Sequence, residues 1–261
     1  MTYDHILFAI EDSVATLTIN RPQVLNALSQ QSLDEMTDAL DRTRDEGARV
    51  LLITGAGRAF CSGADLTPGK GSGATRQDMG RGLETGFNPL LERIARLPVP
   101  VVTAVNGAAA GGGCGYALAG DIVIAGASAY FLQPFANIGL VPDVGATWLL
   151  PRLIGRARAT QMMMLGERIP AATALEWGMV YQVVEDAVLM ETARAMATRL
   201  AAGPTISYGL MREGIARAAA MTLTDTLAME RVNQRTAGRT ADHAEGVAAF
   251  LEKRKPVFQG R

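Results

Sequence analysis

The chain carries two kinds of apolar pattern. Residues 5–10 (HILFAI) and 14–19 (VATLTI) are short, β-branched runs joined by Glu11-Asp12-Ser13. They predict a hairpin that ends at Asn20-Arg21-Pro22. Ser29 stands where a helix wants its N-cap, and Leu33, Met36, Ala39 and Leu40 recur at helical spacing, so a helix is expected to about Glu46. Residues 49–54, 101–105 and 121–125 are different. They are continuous apolar runs of strand length, the pattern of strands covered on both faces. Between them, 55–70 reads as a loop with a Gly/Ser stretch to Thr75, and 78–97 as a helix broken by Pro98-Val99-Pro100. Residues 106–113 read as a Gly-rich loop opening a helix to Ala119. Strand–helix–strand alternation of this kind predicts an α/β core with parallel pairing.

Beyond about residue 186 helical segments dominate, with breaks at Gly203-Pro204, near Met221 and at Gly238. Thr222-x-x-Asp225 marks a helix start. The expected organisation is a core over 1–200 that carries the site and a C-terminal helical region over 201–261. The segment 97–120 has no charge, but its two prolines and many Gly and Ala residues fit a buried strand, turn and helix better than a membrane span.

Composition narrows the function. The 261 residues have a formal net charge of −1 and are 48% apolar. That is enough for a large core, without the basic excess of a nucleic-acid binder or of a protein docked on anionic membranes. Cys61 and Cys114 form no CxxC pair, and the N-terminal segment lacks a signal peptide's basic start, so a cytoplasmic protein is expected. His5 and His243 lie near opposite ends and are expected at the surface, which leaves little for a His-based metal site or a Ser-His-Asp triad.

Two Gly-rich turns each follow a buried run: Phe60-Cys61-Ser62-Gly63-Ala64-Asp65-Leu66, and Asn106-Gly107 leading to Gly111-Gly112-Gly113. Either may be read as an ordinary tight turn. Neither matches the G-x-G-x-x-G or phosphate-loop spacing. Their other reading is a pair of free backbone N–H groups, at Ala64 and Gly112, aimed at one developing oxyanion.

These turns, with Asn20-Arg21-Pro22, Asn26-Ala27-Leu28, Gly120-Asp121, Gly139-Leu140-Val141-Pro142-Asp143, Trp177-Gly178-Met179 and the closing FLEKRKPVF, resemble the crotonase, or enoyl-CoA hydratase/isomerase, superfamily over nearly the whole chain. The resemblance implies a spiral of ββα units and a C-terminal helical trimerisation region, giving a homotrimer or hexamer. It implies an oxyanion hole at Ala64 and Gly112 for an acyl-CoA thioester. Coenzyme A would arrive as part of the substrate, with no other cofactor and no metal. Ser62, Asp65 and Leu66 would line the coenzyme A path. Lys253 and Phe258 match a C-terminal motif that reaches coenzyme A in some relatives, although a solvated basic tail is the other reading. Tyr116 and Phe135 would line the acyl pocket or belong to the core. Cys61, Cys114 and Met162-Met163-Met164 are expected to pack in the core, and Asp121 to serve structure.

The resemblance also sharpens the chemistry. Hydratases of the family use two glutamates, whose positions here hold Gly115 and Phe135. Adding water to an alkene normally needs two placed carboxyl groups. Asp143 remains, flanked by apolar residues. It reads either as the N-cap of a helix over 144–150 or as a carboxyl of raised proton affinity that shuttles protons. Isomerases of the family, including those acting on dienoyl-CoA and on 1,2-epoxyphenylacetyl-CoA in phenylacetate catabolism, carry an acid/base aspartate at the matching position. The implied activity is therefore a Δ3-to-Δ2 double-bond shift, or rearrangement of a ring-epoxide acyl-CoA to an oxepin. An enoyl-CoA hydratase-like activity is one alternative, and two further rivals, an aryl-CoA dehalogenase or hydrolase and a scaffold, stand beside it. In the 4-chlorobenzoyl-CoA dehalogenases the matching aspartate is a nucleophile, but those enzymes place Trp where Phe135 stands and use a His absent between His5 and His243. The other rival is a non-catalytic coenzyme A-binding scaffold.

Overall fold

The predicted hairpin forms the edge of a sheet in the computed structural model, which describes residues 2–65 and 78–261. Leu66 and the Gly/Ser stretch lie outside the described residues. Strand β1 (Ile6–Glu11) pairs antiparallel with β2 (Val14–Ile19), and from β2 onward all pairs in this sheet are parallel. With β3 (Val50–Gly55), β5 (Val101–Val105), β7 (Ile122–Gly126) and β10 (Gln182–Val184), the order is β1-β2-β3-β5-β7-β10. Every residue of β3 and β5 is buried, because both faces are covered. On one face Leu51, Ile53, Val101 and Val105 share a core with Leu33, Met36 and Leu40 of α1 (Gln30–Asp45). On the other, Val50, Leu52, Val102 and Ala104 meet Leu189, Ala193 and Ala197 of α7 (Leu189–Ala201).

A second sheet corrects the sequence reading. Four short strands, β4 (Ala59–Cys61), β6 (Ala108–Ala110), β8 (Tyr130–Leu132) and β9 (Ile169–Pro170), pair in the order β4-β6-β8-β9. Two of them fall inside segments expected to be loops. At two or three residues, and Ala-rich in part, they carry too little periodicity to show in sequence; pairing with one another creates them. Each turn of the chain lays one strand in each sheet before a helix. Thus β5 and β6 precede α4 (Gly112–Leu118), and β7 and β8 precede α5 (Ala146–Leu165). This is the expected ββα spiral.

Two asparagines fix the crossings between sheets. Asn26, fully buried, donates from Nδ2 to the carbonyls of Ala56 (2.9 Å) and Ala59 (2.7 Å) and accepts from the Arg21 N–H (2.9 Å). Asn106 donates to Gly57 (2.8 Å) and accepts from the Gly55 N–H (3.2 Å). A Cβ at Gly107 would lie 2.2 Å from the Arg58 carbonyl, so only glycine lets the chain pass there.

The helices follow the expected breaks. Ser29 caps α1, accepting from the Ser32 N–H, while Ser32 accepts in return from the Ser29 N–H. His5 bonds to both hydroxyls at 3.1 Å and is half-buried, not the surface residue expected; His243 is exposed. The helix expected over 78–97 is α2 (Gly80–Gly82), a π turn (Leu83–Phe87) and α3 (Asn88–Arg96). Of the three methionines expected in the core, Met162 is buried but Met164 is 71% exposed, because they fall on opposite faces of α5. Chain 97–120 becomes β5, β6 and α4, and among the described residues no helix is long and apolar enough to cross a membrane. After α6 (Ala171–Glu176) and α7 come α8 (Thr205–Ala218), α9 (Leu223–Ala237) and α10 (Ala241–Leu251).

Arg212 fastens α8 to the core. Its guanidinium donates to Asp121 (2.5 Å) and to the carbonyls of Ile94 and Leu97 at the C-terminal end of α3, while Asp121 also accepts from the Val101 N–H (2.7 Å). Asp121 is structural, as expected. Arg212→Met should leave this carboxylate and these carbonyls short of donors and cost about 2 kcal/mol, read as a lower urea midpoint. Arg96, whose partner Glu92 is exposed, is the control: Arg96→Met should shift stability by less than about 0.5 kcal/mol.

Candidate active site

The two Gly-rich turns meet at the junction of β4 and the first turn of α4. A Cβ built on Gly63 would lie 3.1 Å from the Ala110 carbonyl and 3.4 Å from the Gly112 nitrogen. One on Gly113 would lie 2.2 Å from the Cys61 carbonyl. Only glycine permits both approaches, and Gly63 also needs its φ of +96°.

The hydrogen bonds orient the two candidate donors. Leu28 forms a parallel bridge to Ala64: its N–H donates to the Gly63 carbonyl (2.8 Å) and its carbonyl accepts from the Asp65 N–H (2.9 Å). In such a bridge the central residue's own N–H points away from the partner chain. Ala64 is exposed at the rim. Gly112 is the first residue of α4, so its N–H has no acceptor within the helix. The candidate donors are thus adjacent.

Arg21 locks the Ala64 turn from behind. It donates to the Ala27 carbonyl (2.5 Å) and to the Asp65 carboxylate (2.9 Å), with both side chains mostly covered. Ser62 is tied to the same segment, its N–H to Leu25 (3.1 Å) and its hydroxyl to Val24 (3.4 Å). Nothing in the sequence alone assigns Arg21 or Asn26 a role. No spacing rule connects residues 21 and 65, so only the fold shows the pair.

Asp143 reaches the other side of Gly112. Its Oδ1 lies 3.6 Å from where a Cβ on Gly112 would stand, and this oxygen is buried without a hydrogen-bond partner. Asp143 is not the helix cap: Gly145, at φ +72°, holds that position before α5. Burial pushes the carboxyl's pKa up to about 6, against a lesser opposing effect of its own backbone N–H. Among the described residues no charged side chain contributes to that shift.

The positions that the resemblance gives to hydratase glutamates hold no carboxyl, and one has no room. A Cβ on Gly115 would fall 2.2 Å from the Val144 carbonyl oxygen and 3.0 Å from its Cγ1. Phe135 is buried, its ring 3.5 Å from a Cβ built on Gly111, so it walls the same turn. Tyr116 lies wholly buried, donating to the Phe87 carbonyl of the π turn (2.8 Å) and stacking on the Phe87 ring. Cys61 and Cys114 are fully buried, and burial pushes both thiols up to about 12, which leaves them protonated packing groups.

Other expected site residues lie apart. Lys253 is exposed just past α10, and Phe258 packs against Gly246 of that helix while its carbonyl accepts from Arg49 (3.1 Å). Among the described residues neither of them bonds to Ala64, Gly112 or Asp143. The tail is held by Asp242, which accepts from the N–H groups of Gln259 (2.6 Å) and Gly260 (2.8 Å). Among the described residues no group of three or more His, Cys, Asp or Glu side chains is arranged to hold a metal ion.

Two adjacent candidate backbone donors thus stand beside a carboxyl of raised proton affinity. The family model for enoyl-CoA hydratase/isomerase matches residues 9–261. The chain is 47% identical over 260 residues to 1,2-epoxyphenylacetyl-CoA isomerase of Escherichia coli, covering 99% of each. It is 35% identical to a short-chain-enoyl-CoA hydratase of Clostridium acetobutylicum, covering 98% of this chain and 97% of that one. A crystal structure of an enoyl-CoA hydratase from Bacillus anthracis superposes with a TM-score of 0.92 at 34% identity, covering 99% of this chain and 100% of that one. The chain belongs to the enoyl-CoA hydratase/isomerase family and has the crotonase fold.

Two measurements test this geometry. A carboxyl whose folded pKa is raised binds more protons folded than unfolded, so its contribution to stability falls as pH rises from about 4 to 6. Asp143→Asn should therefore match the parent near pH 4 and exceed it by about 1–2 kcal/mol above pH 6.5, a figure reduced for the carboxyl's partial contact with water. Gly115→Ala should cost 2 kcal/mol or more, roughly, by overpacking against the Val144 carbonyl. Gly82→Ala, with open space at its Cβ, should be neutral or stabilising.

Proposed function

We propose that the protein is an acyl-CoA isomerase in which Asp143 moves a proton while the N–H groups of Ala64 and Gly112 hold the thioester oxygen. The observation that carries this is the single buried, unpartnered carboxylate oxygen beside Gly112, with no space for a carboxyl at 115. Asp143 takes a proton from the α- or γ-carbon, the negative charge collects on the thioester oxygen as an enolate or dienolate, and the proton returns at the other end of the conjugated system. Each backbone donor contributes about 3 kcal/mol to that charge. A base poised near neutrality suits both transfers. Hydration needs a second carboxyl, which these positions do not supply.

The substrates proposed are cis-3-enoyl-CoA, shifted to the Δ2 isomer, and a ring-epoxide acyl-CoA, rearranged to an oxepin. The second draws support from the likeness to the Escherichia coli isomerase. Coenzyme A comes with the substrate, along Ser62, Asp65 and Leu66, and no other cofactor or metal is required. Apolar side chains exposed on the C-terminal helices, among them Ile215 (77%), Leu223 (74%) and Phe250 (82%), support assembly as a homotrimer or hexamer, in which Lys253 and Phe258 would reach a neighbouring coenzyme A. Sedimentation of the purified chain tests this. A cytoplasmic setting fits a coenzyme A thioester enzyme.

A panel of cis-3-enoyl-CoA, trans-2-enoyl-CoA with water, and epoxyphenylacetyl-CoA separates isomerase from hydratase. Asp143→Asn should lower isomerisation by about a hundred- to ten-thousandfold while the protein stays folded. Parent kcat/KM should fall about tenfold per pH unit below 6, because the base must be ionised. A retained rate in Asp143→Asn would place the base elsewhere.

A further inference from the structure

Val144 occupies a position that its chemistry disfavours. The Ala146 N–H donates to the Asp143 carbonyl (2.9 Å), closing a turn whose two central residues, Val144 and Gly145, have φ of +43° and +72°. Turns with positive φ at both centres take Gly, Asn or Asp. A β-branched residue there is a backbone outlier. Such strain persists only where surrounding packing over-determines it.

The packing identifies what holds it. Val144 is 1% exposed. Its Cγ2 lies 2.9 Å from a Cβ built on Gly112 and its Cγ1 3.0 Å from one built on Gly115, and its carbonyl fills the rest of the space at 115. The isopropyl group is therefore wedged against the first turns of α4, directly beside the Asp143 carboxyl.

We propose that Val144 is a positioning and specificity-determining residue: its strained, buried side chain fills the volume beside Asp143 that a water would need, while its carbonyl closes the space for a second carboxyl at 115, and so the site is restricted to proton transfer by one carboxyl. This rests on the isomerase reading above. The apolar wall it forms agrees with burial as the main cause of the raised Asp143 proton affinity. The ionisable group near Asp143 is the Tyr116 phenol, which burial keeps protonated, so it offers no charge that would replace the wall's effect.

Val144→Gly and Val144→Asn test this, since both relax the turn while removing the wedge. With cis-3-enoyl-CoA, kcat should fall about tenfold or more with KM changed less than about twofold, because the loss falls on the proton-transfer step. The acidic limb of the rate profile should move down from about 6 toward the ordinary aspartate range. A purely structural role would leave that limb in place. The same shift is readable without turnover. In each Val144 background, the stability gain of Asp143→Asn above pH 6.5 should shrink. If the isomerase reading fails, the parent shows no isomerisation, yet this stability comparison still reports on Val144. If the parent isomerises and both folded variants keep its kcat, its pH limb and the full Asp143→Asn gain, the proposal is overturned. Should either variant fail to fold, the other carries the same comparisons, and failure of both would overturn the claim that the turn is strained.

Discussion

The contact on which the site depends is one of backbone against backbone. The chain leaving β4 passes across the first turn of α4 so closely that residues 63 and 113 must lack side chains. This approach brings the Ala64 segment beside the Gly112 N–H. It also explains the second sheet. Strands β4 and β6 are short, but they pair parallel, and that pairing sets the height at which the two turns meet. Asn26, Asn106 and Arg21 then bind the crossing chains through side-chain bonds, since the turns expose backbone groups that no regular ladder satisfies.

A frame held by backbone contacts leaves the chemistry to whatever side chain is placed beside it. That division accounts for a family whose members include both hydratases and isomerases at 35–47% identity to this chain over nearly their full lengths. Polarising a thioester is common to both reactions. Where the carboxyl groups stand decides whether the resulting electrophile or enolate meets water or a returning proton. In this chain Asp143 approaches from the loop before α5, and the space that the glutamate at 115 would occupy is closed by the chain of that same loop.

Legibility from sequence followed physical range. The hairpin, the capped helix α1, the buried parallel strands and the breaks between the C-terminal helices rest on local periodicity, caps and Gly/Pro punctuation, and they stand where the pattern put them. The second sheet was hidden because three-residue strands have no period. His5 was misplaced because its burial comes from pairing with Ser29 and Ser32 across the sheet edge. The candidate donors were visible as glycine turns, but their meeting depends on the spiral. Asp143 was legible as a carboxyl among apolar residues. What its sequence neighbours did not show is that it is no helix cap, because Gly145 in the next turn takes that position.

That turn also shows why local rules fail where function concentrates. Local preference at 144 calls for Gly or Asn, and packing against Gly112 and Gly115 calls for an apolar branched group. The two demands conflict, and the observed residue satisfies the second. A residue retained against its backbone preference marks a place where shape or dryness matters more than ease of folding. Beside an unpaired carboxylate oxygen, dryness has a direct chemical consequence. Water admitted next to Asp143 would solvate its charged form and lower its proton affinity. The glycines bring the two candidate donors together, and the valine walls the carboxyl beside them.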